Sequence, residues 1–180
     1  PKRGKGIGIA ATSGSASDSL SGSVFRSAGR SPFFRYVDGT VGNGKRTRLA
    51  PQFFYFSGSF GLQGEHLTTR QKIRRGDVAT TDVTTGLYFQ ATYVLTGEKT
   101  SFRNVVPDKP FDFDGGGTGG GAWELALRYS QVKTDGDTFA AGLADPAVSA
   151  QKATALTFGV NWYLTRQSKL MLNYEETDFG

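Results

Sequence analysis

The feature that most constrains this chain is the length of its alternating runs. Apolar and polar residues exchange places one by one, over nine to thirteen residues in the best stretches, and helical spacing is nearly absent. GAWELALRYSQV, Gly121 to Val132, is the clearest case. Trp123, Leu125, Leu127 and Tyr129 fall on one side, and Glu124, Ala126, Arg128 and Ser130 on the other. A strand in a globular protein runs about five or six residues, whereas a tilted strand crossing a bilayer needs about 9–11. Large aromatics at both ends of the apolar side and a full charge of each sign on the other describe an element that is very apolar on one face and wet on the other.

The same period recurs in seven strand candidates: Gly4–Thr12, Arg48–Phe56, Phe60–Thr68, Val83–Leu95, Gly121–Val132, Thr154–Leu164 and Ser168–Thr177. Leu156, Phe158, Val160, Trp162 and Leu164 oppose Thr157, Gly159, Asn161 and Tyr163. Leu87, Phe89, Ala91, Tyr93 and Leu95 oppose Tyr88, Gln90 and Thr92. Gln, Asn, Glu and Arg are costly in a dry core and natural against a water-filled lumen. Connection lengths alternate as well. Short turns at Ser57–Ser59 and Thr165–Gln167 contrast with long polar loops at Ser13–Thr47, Thr69–Asp82 and Lys133–Ala153, the pattern of short periplasmic turns and longer outer loops. Strand parity puts Gly97–Gly120 on the short-turn side, where such length is unusual. The first loop exceeds ordinary connections and calls for a function or structure of its own. The expected fold is all-β, an antiparallel transmembrane β-barrel. A soluble sandwich whose polar face is simply solvated is the bland alternative for any one strand.

Composition narrows this further. With 180 residues, the chain is long enough for one domain. It has no cysteine, so disulfides are excluded, and no apolar run long enough for a transmembrane helix. The start at Pro1, basic through KRGKG, has no apolar signal region. Seven strands is an odd number, bacterial single-chain barrels are even, and the last candidate would end outward at Asp178-Phe179-Gly180. Residues 1–180 are therefore expected to form part of a single outer-membrane barrel domain, lacking at least its last strand.

The net charge of +5 suits anionic partners. Pores select anions with rows of Arg and Lys that replace lost hydration. Arg26, Arg30 and Arg35 lie in the first long loop, which Lys45, Arg46 and Arg48 close; Arg70, Lys72, Arg74 and Arg75 lie in the second. These would line a path if their loops fold inward, and are otherwise solvated. Arg128 is expected to face the lumen by strand parity, with Glu124, Gln90 and Asn161, and a structural Arg128–Glu124 or cross-strand pair is its bland role. Glu65, Glu98, Glu124 and Glu175 make the expected wall mixed in charge.

Other chemistry finds little support. GGGTGGG, Gly115 to Gly121, lacks the Gly-Lys-Ser/Thr ending of a phosphate loop and a following helix. The loose dinucleotide fingerprint at Gly6–Ala11 has no helix after it. Asp112 with Asp114, and Asp135 with Asp137, lack the calcium-loop pattern. His66 is the single histidine, too few for a zinc site or a catalytic triad. No nucleic-acid module is present. No cofactor and no enzymatic activity are expected.

The segments YVLTGEK (Tyr93–Lys99), PFDF (Pro110–Phe113), GAWELALRYS (Gly121–Ser130), GVNWYL (Gly159–Leu164) and KLMLNY (Lys169–Tyr174) occur in that order. Together they resemble the C-terminal half of the phosphate-selective porin O/P family, and Leu49–His66 resembles its preceding hairpin, over roughly residues 48–178. The resemblance implies a bacterial outer-membrane barrel of sixteen strands, of which this chain would supply the ninth to fifteenth. It also implies a homotrimer passing small inorganic anions, with phosphate or polyphosphate the favoured class, among outer-membrane lipid and lipopolysaccharide. The matched motifs belong to the barrel wall, so the fold transfers better than the substrate. Two other readings stay open: a structural or surface-anchoring barrel whose lumen is plugged, and a soluble ligand-binding β-barrel.

Overall fold

The computed structural model describes residues 4–180. The basic start at Pro1, Lys2 and Arg3 lies outside the described residues. The molecule is built on one antiparallel sheet of seven strands among those residues: β1 (Gly4–Ala16), β4 (Val41–Ser57), β5 (Phe60–Arg75), β6 (Val78–Val94), β7 (Ala122–Thr134), β8 (Lys152–Tyr163) and β9 (Lys169–Phe179). Neighbours in the sheet follow chain order, apart from a separate hairpin, β2 (Val24–Arg26) and β3 (Pro32–Arg35), inside the first long connection. The sole helix among the described residues is α1 (Gly136–Ala140), whose cap Asp135 accepts from the Asp137 amide at 3.1 Å.

All seven expected strands are present, and most are longer than the alternation indicated. The largest correction concerns residues 69–82. They are not a loop: β5 continues to Arg75, a two-residue turn at Gly76-Asp77 reverses the chain, and β6 starts at Val78. Gly76 holds a positive φ of 56°, which the turn requires. The alternation fails to reveal this extension because Arg70, Lys72 and Arg74 on one face meet Thr69 and Gln71 on the other, so both faces read as polar. The hydrogen-bond ladder nonetheless runs on, and buries Ile73 on the second face. The first loop likewise shrinks, as β1 extends to Ala16 and β4 starts at Val41. Between Gly42 and Arg46 the β4–β5 register shifts: four steps on β4 match two on β5, from Ile73 back to Gln71.

The core is not between two layers. Along the sheet one face is apolar and uncovered, with Ile7 93% exposed, Leu172 75% exposed, and Leu49, Phe89, Leu127, Leu156, Phe158 and Leu170 also exposed. A soluble sandwich would cover such a face with a second sheet. Among the described residues nothing does. The packed clusters sit at the two ends of the strands. Leu20, Phe33, Phe34, Tyr36, Ile73, Leu143, Ala144 and Ala153 form the one at the outer loops, and Val94, Val105, Ala122 and Tyr163 the other.

Candidate functional site

Residues directly opposite in an antiparallel ladder point to the same face, so the register assigns every side chain to a side. Gln63, Gln90, Arg128, Thr157 and Glu175 are opposed in sequence across β5 to β9 and form one row on the polar face. Arg128 lies with its guanidinium carbon 4.6 Å from the centre of the Tyr88 ring, a cation–π contact that orients the planar fork. Glu175 accepts from Thr157 Oγ1 at 3.1 Å and from Thr177 Oγ1 at 3.2 Å. Nearer the short turns, Glu124 is opposed to Asn161 and only 5% exposed. Its Oε2 accepts from Asn161 Nδ2 at 2.9 Å and from the Tyr163 hydroxyl at 2.8 Å. Of the two expected roles for Arg128, a pair with Glu124 or a cross-strand pair, the contact is cross-strand and aromatic: the acid is held by neutral donors, and the arginine by the face of Tyr88. Among the described residues the one ion pair is Arg46–Asp18, at 3.9 Å.

Removing the Glu124 carboxylate leaves Asn161 and Tyr163 donors without their acceptor. Glu124→Ala should cost about 2 kcal/mol, seen as a lower temperature for conversion of the folded gel band to the unfolded one, with Glu124→Gln losing markedly less.

The remaining basic candidates divide. Arg26 and Arg30 sit at the tip of the β2–β3 hairpin, where Arg26 Nη1 donates to the Arg30 carbonyl at 3.0 Å and Arg30 has a positive φ of 66°. Arg35, at the base, is tied by its backbone to Ser149: its amide donates to Ser149 Oγ at 3.2 Å, and its carbonyl accepts from the same hydroxyl. The hairpin lies over the polar face. Phe33 packs at a tilt near Phe179, with ring centres 6.0 Å apart. Arg26, Ala28 and Phe33 enclose a gap of about 40 Å³ against Ser130, Ala155 and Thr177. A side chain added at Gly29 would come within 3.3 Å of Glu175 Oε1, so the tip reaches the Arg128–Glu175 row. Arg75 is on the polar-face side at its turn, its Nε donating to the Asp38 carbonyl at 2.8 Å. Arg70 and Arg74 stand on the opposite, outward face in line with Leu62, and they belong to a strand rather than to a loop that could fold inward.

Several participants carry no sequence signal of their own. Asp82, 2% exposed, accepts from Tyr36 (3.0 Å), Thr84 (3.0 Å) and Thr138 (2.6 Å), fastening the first loop and α1 to β6. Burial first, then the Asp82 charge and hydrogen bond, push the Tyr36 hydroxyl far above its usual range. At the other end, the long connection of residues 95–121 also turns onto the polar face. Phe102 meets Phe54 and Phe56 edge-on at 4.7 and 4.9 Å, and buried Glu98 accepts from the Thr96 hydroxyl and, at 3.2 Å, the Asp108 amide. Between this segment and the wall lies a cavity of about 270 Å³ reached by Gln63, Gln90, Arg103, Glu124, Asn161 and Lys169. Aromatic Phe54 and Phe56 on the wet face of β4 were the available hint. The glycine-rich turn closes on Asp112, which accepts from the Asp114 amide at 2.9 Å and from Gly117, bonds that lower its carboxyl below the ordinary range. No group of three His, Asp or Glu among the described residues is placed to hold a metal.

Two comparisons bear on this geometry. The family model for phosphate-selective porin O and P matches residues 35–178. Porin O of Pseudomonas aeruginosa is 31% identical over 176 residues, a match that covers 93% of this chain and 36% of the relative. The chain thus spans about a third of the length of that relative. An antiparallel sheet apolar on one side and polar on the other, matched along most of its length, supports one conclusion: the chain belongs to the phosphate-selective porin O and P family, proteins of the bacterial outer membrane.

Proposed function

We propose that the sheet is a sector of one closed, sixteen-stranded outer-membrane barrel, that the barrel assembles as a homotrimer, and that it passes small anions by diffusion, phosphate or polyphosphate foremost. The apolar face meets lipid and the Arg128 face meets the lumen. Further strands of that barrel, outside residues 1–180, pair with the edges of β1 and β9 and close the wall.

The observation that carries the anion preference is the disposition of acids and bases on the polar face. Glu124 and Glu175 have oxygens engaged by Asn161, Tyr163, Thr157 and Thr177, all neutral donors. Arg128 meets an aromatic ring rather than a carboxylate, so its N–H edge stays available to a solute. Arg26 at the hairpin tip borders the same face with Arg30 beside it on the hairpin, Gln90 and Asn161 add neutral contacts, and Arg35 and Arg75 sit at the rim. An anion losing part of its hydration finds donors at successive, individually weak positions, so that it enters and also leaves. Arg70 and Arg74 take no part in this path. No cofactor or covalent step is required.

The test is a planar-bilayer recording on the full-length protein. Under a KCl gradient the reversal potential should be anion-selective, and added phosphate should block the chloride current. Arg128→Gln should weaken that block by about ten-fold, as expected for loss of one charge-assisted contact, with the barrel still folded. A cation-favouring reversal with no block would remove the anion reading. The hairpin lying across the wall also favours a second reading, a plugged structural barrel, which zero conductance from an intact barrel would establish.

A further inference from the structure

The outward face carries a regularity that the pore does not use. On four strands an aromatic residue near the short turns is followed, ten positions along the same face, by a basic one: Tyr55 and Lys45 on β4, Phe60 and Arg70 on β5, Trp123 and Lys133 on β7, Trp162 and Lys152 on β8. Ten residues at about 3.4 Å each, tilted about 40°, rise about 26 Å, against an apolar band of about 25 Å on such barrels. The aromatic end is held together by stacking, with Trp123 and Trp162 rings 5.0 Å apart. Lys133 and Lys152 are directly opposed, an arrangement of like charges that calls for a shared counter-ion. On β5 the basic row continues through Lys72 to Arg74, and Lys45, Arg70, Lys72, Arg74 and Lys133 are exposed. Outward-facing acids, Glu176 and Asp178, appear on β9, where the row ends.

We propose that Lys45, Arg70, Lys72, Arg74, Lys133 and Lys152 form a docking surface for the phosphate groups of an anionic glycolipid in the outer leaflet. The inference rests on the outer-membrane placement of the barrel and is independent of what passes through it. The basic groups stand one hydrocarbon thickness from the aromatic girdle, which is headgroup height. They lie on the face opposite Arg128, so they cannot serve the lumen. Charge complementarity selects a phosphorylated headgroup over a zwitterionic one, since each cation near an anionic surface adds attraction. The Arg70 and Arg74 forks, two pleats apart on either side of Lys72, can each grip a phosphate with paired N–H donors.

The probes are a bisphosphorylated glucosamine-disaccharide lipid and the same lipid after enzymatic dephosphorylation, each titrated against the full-length barrel in a neutral detergent and counted by native mass spectrometry. The intact lipid should bind about ten-fold tighter or more. Arg70→Gln/Lys72→Gln/Arg74→Gln should shrink that preference to about two-fold, and Lys133→Gln/Lys152→Gln should reduce it less, both with an unchanged reversal potential. The second variant keeps the test decisive if the first does not fold. Equal binding of the two lipids, a preference surviving in both variants, or its loss to millimolar inorganic phosphate would overturn the proposal. A lipid preference in a barrel without conductance would leave the docking surface standing and remove the pore reading instead.

Discussion

Asp82→Ala should release the outer hairpin while leaving the sheet in place. The carboxylate is the common acceptor for Tyr36, Thr84 and Thr138, and Tyr36 and Thr138 are themselves buried. Its loss strands the Tyr36 hydroxyl in an apolar cluster with Phe34 and Leu143, and leaves the buried Thr138 hydroxyl without its acceptor. Hydrogen bonds to a charged group contribute about 1.5–3 kcal/mol each and overlap at a shared acceptor, so the local loss should be about 3–4 kcal/mol. The backbone ladder on either side of Asp82 does not use the carboxylate and should keep its stability. Protease cutting within residues 17–40 should then accelerate by about a few hundred-fold, following the population of the opened loop. Asp82→Asn, which keeps an acceptor, should accelerate it far less. An unchanged cutting rate in the alanine variant would show that the aromatic cluster alone holds the hairpin. The raised Tyr36 pKa adds a sign. The protonated hydroxyl is the form the fold favours, so the latch is at full strength below about pH 10 and weakens as pH rises above it.

Gly121→Ala should damage the sheet itself. Gly121 has a φ of 70°, and an added Cβ would lie 2.4 Å from the Tyr163 carbonyl oxygen and 2.9 Å from Trp162 Nε1. The first is backbone inside the β7–β8 pairing and cannot swing away. The left-handed conformation alone costs about 1–2 kcal/mol for a residue with a Cβ, and displacing the carbonyl brings the total to about 3–5 kcal/mol. It also disturbs the Trp162 Nε1 bond to the Gly120 carbonyl, 2.8 Å, and with it the aromatic girdle. Refolding yield should collapse, or the folded band should convert at a much lower temperature. Gly120→Ala is the matched control: nothing lies within 4 Å of a Cβ built there, and it should be nearly silent. Equal damage from both would mean that loop flexibility, not the contact with Tyr163, is what the glycines supply.

How much of this was legible depends on which interactions leave a periodic trace. The faces of β7 and β8 could be read from Trp123 to Tyr129 and from Leu156 to Leu164 because a sheet with one apolar face imposes one residue class on every second position. The placement of Arg128, Glu124, Gln90 and Asn161 on one face followed from the same rule. Beyond the apolar band that constraint disappears, and so did the signal: β5 past Thr69 is held by its backbone ladder and by the single buried apolar side chain of Ile73, and the sequence there looks like a polar loop. The hairpin, Asp82 and Phe102 were invisible for a different reason. Each depends on partners dozens of residues away, such as Tyr36 with Asp82 or Phe102 with Phe54. A one-dimensional pattern does not encode which distant side chain will complete a cluster. Of the two partners the sequence left open to Arg128, Glu124 on its own strand or a cross-strand neighbour, the structure has the second, in Tyr88, but the alternation does not say which cross-strand residue it is.

The register shift near Gly42 carries a consequence for how such a chain can change length. The two additional residues on β4 leave Gly42 and Arg46 on the same side as Ile73 and Gln71. A single added residue would have turned every position beyond it inside out, sending Arg46 to the apolar face and Lys45 to the polar one. Length within these strands therefore has a grammar of pairs: dipeptide insertions and deletions preserve sense, and odd ones scramble it from the point of change to the next turn. Deletion scanning across β4 should accordingly produce alternating tolerance, a reading frame written in the protein rather than in its gene.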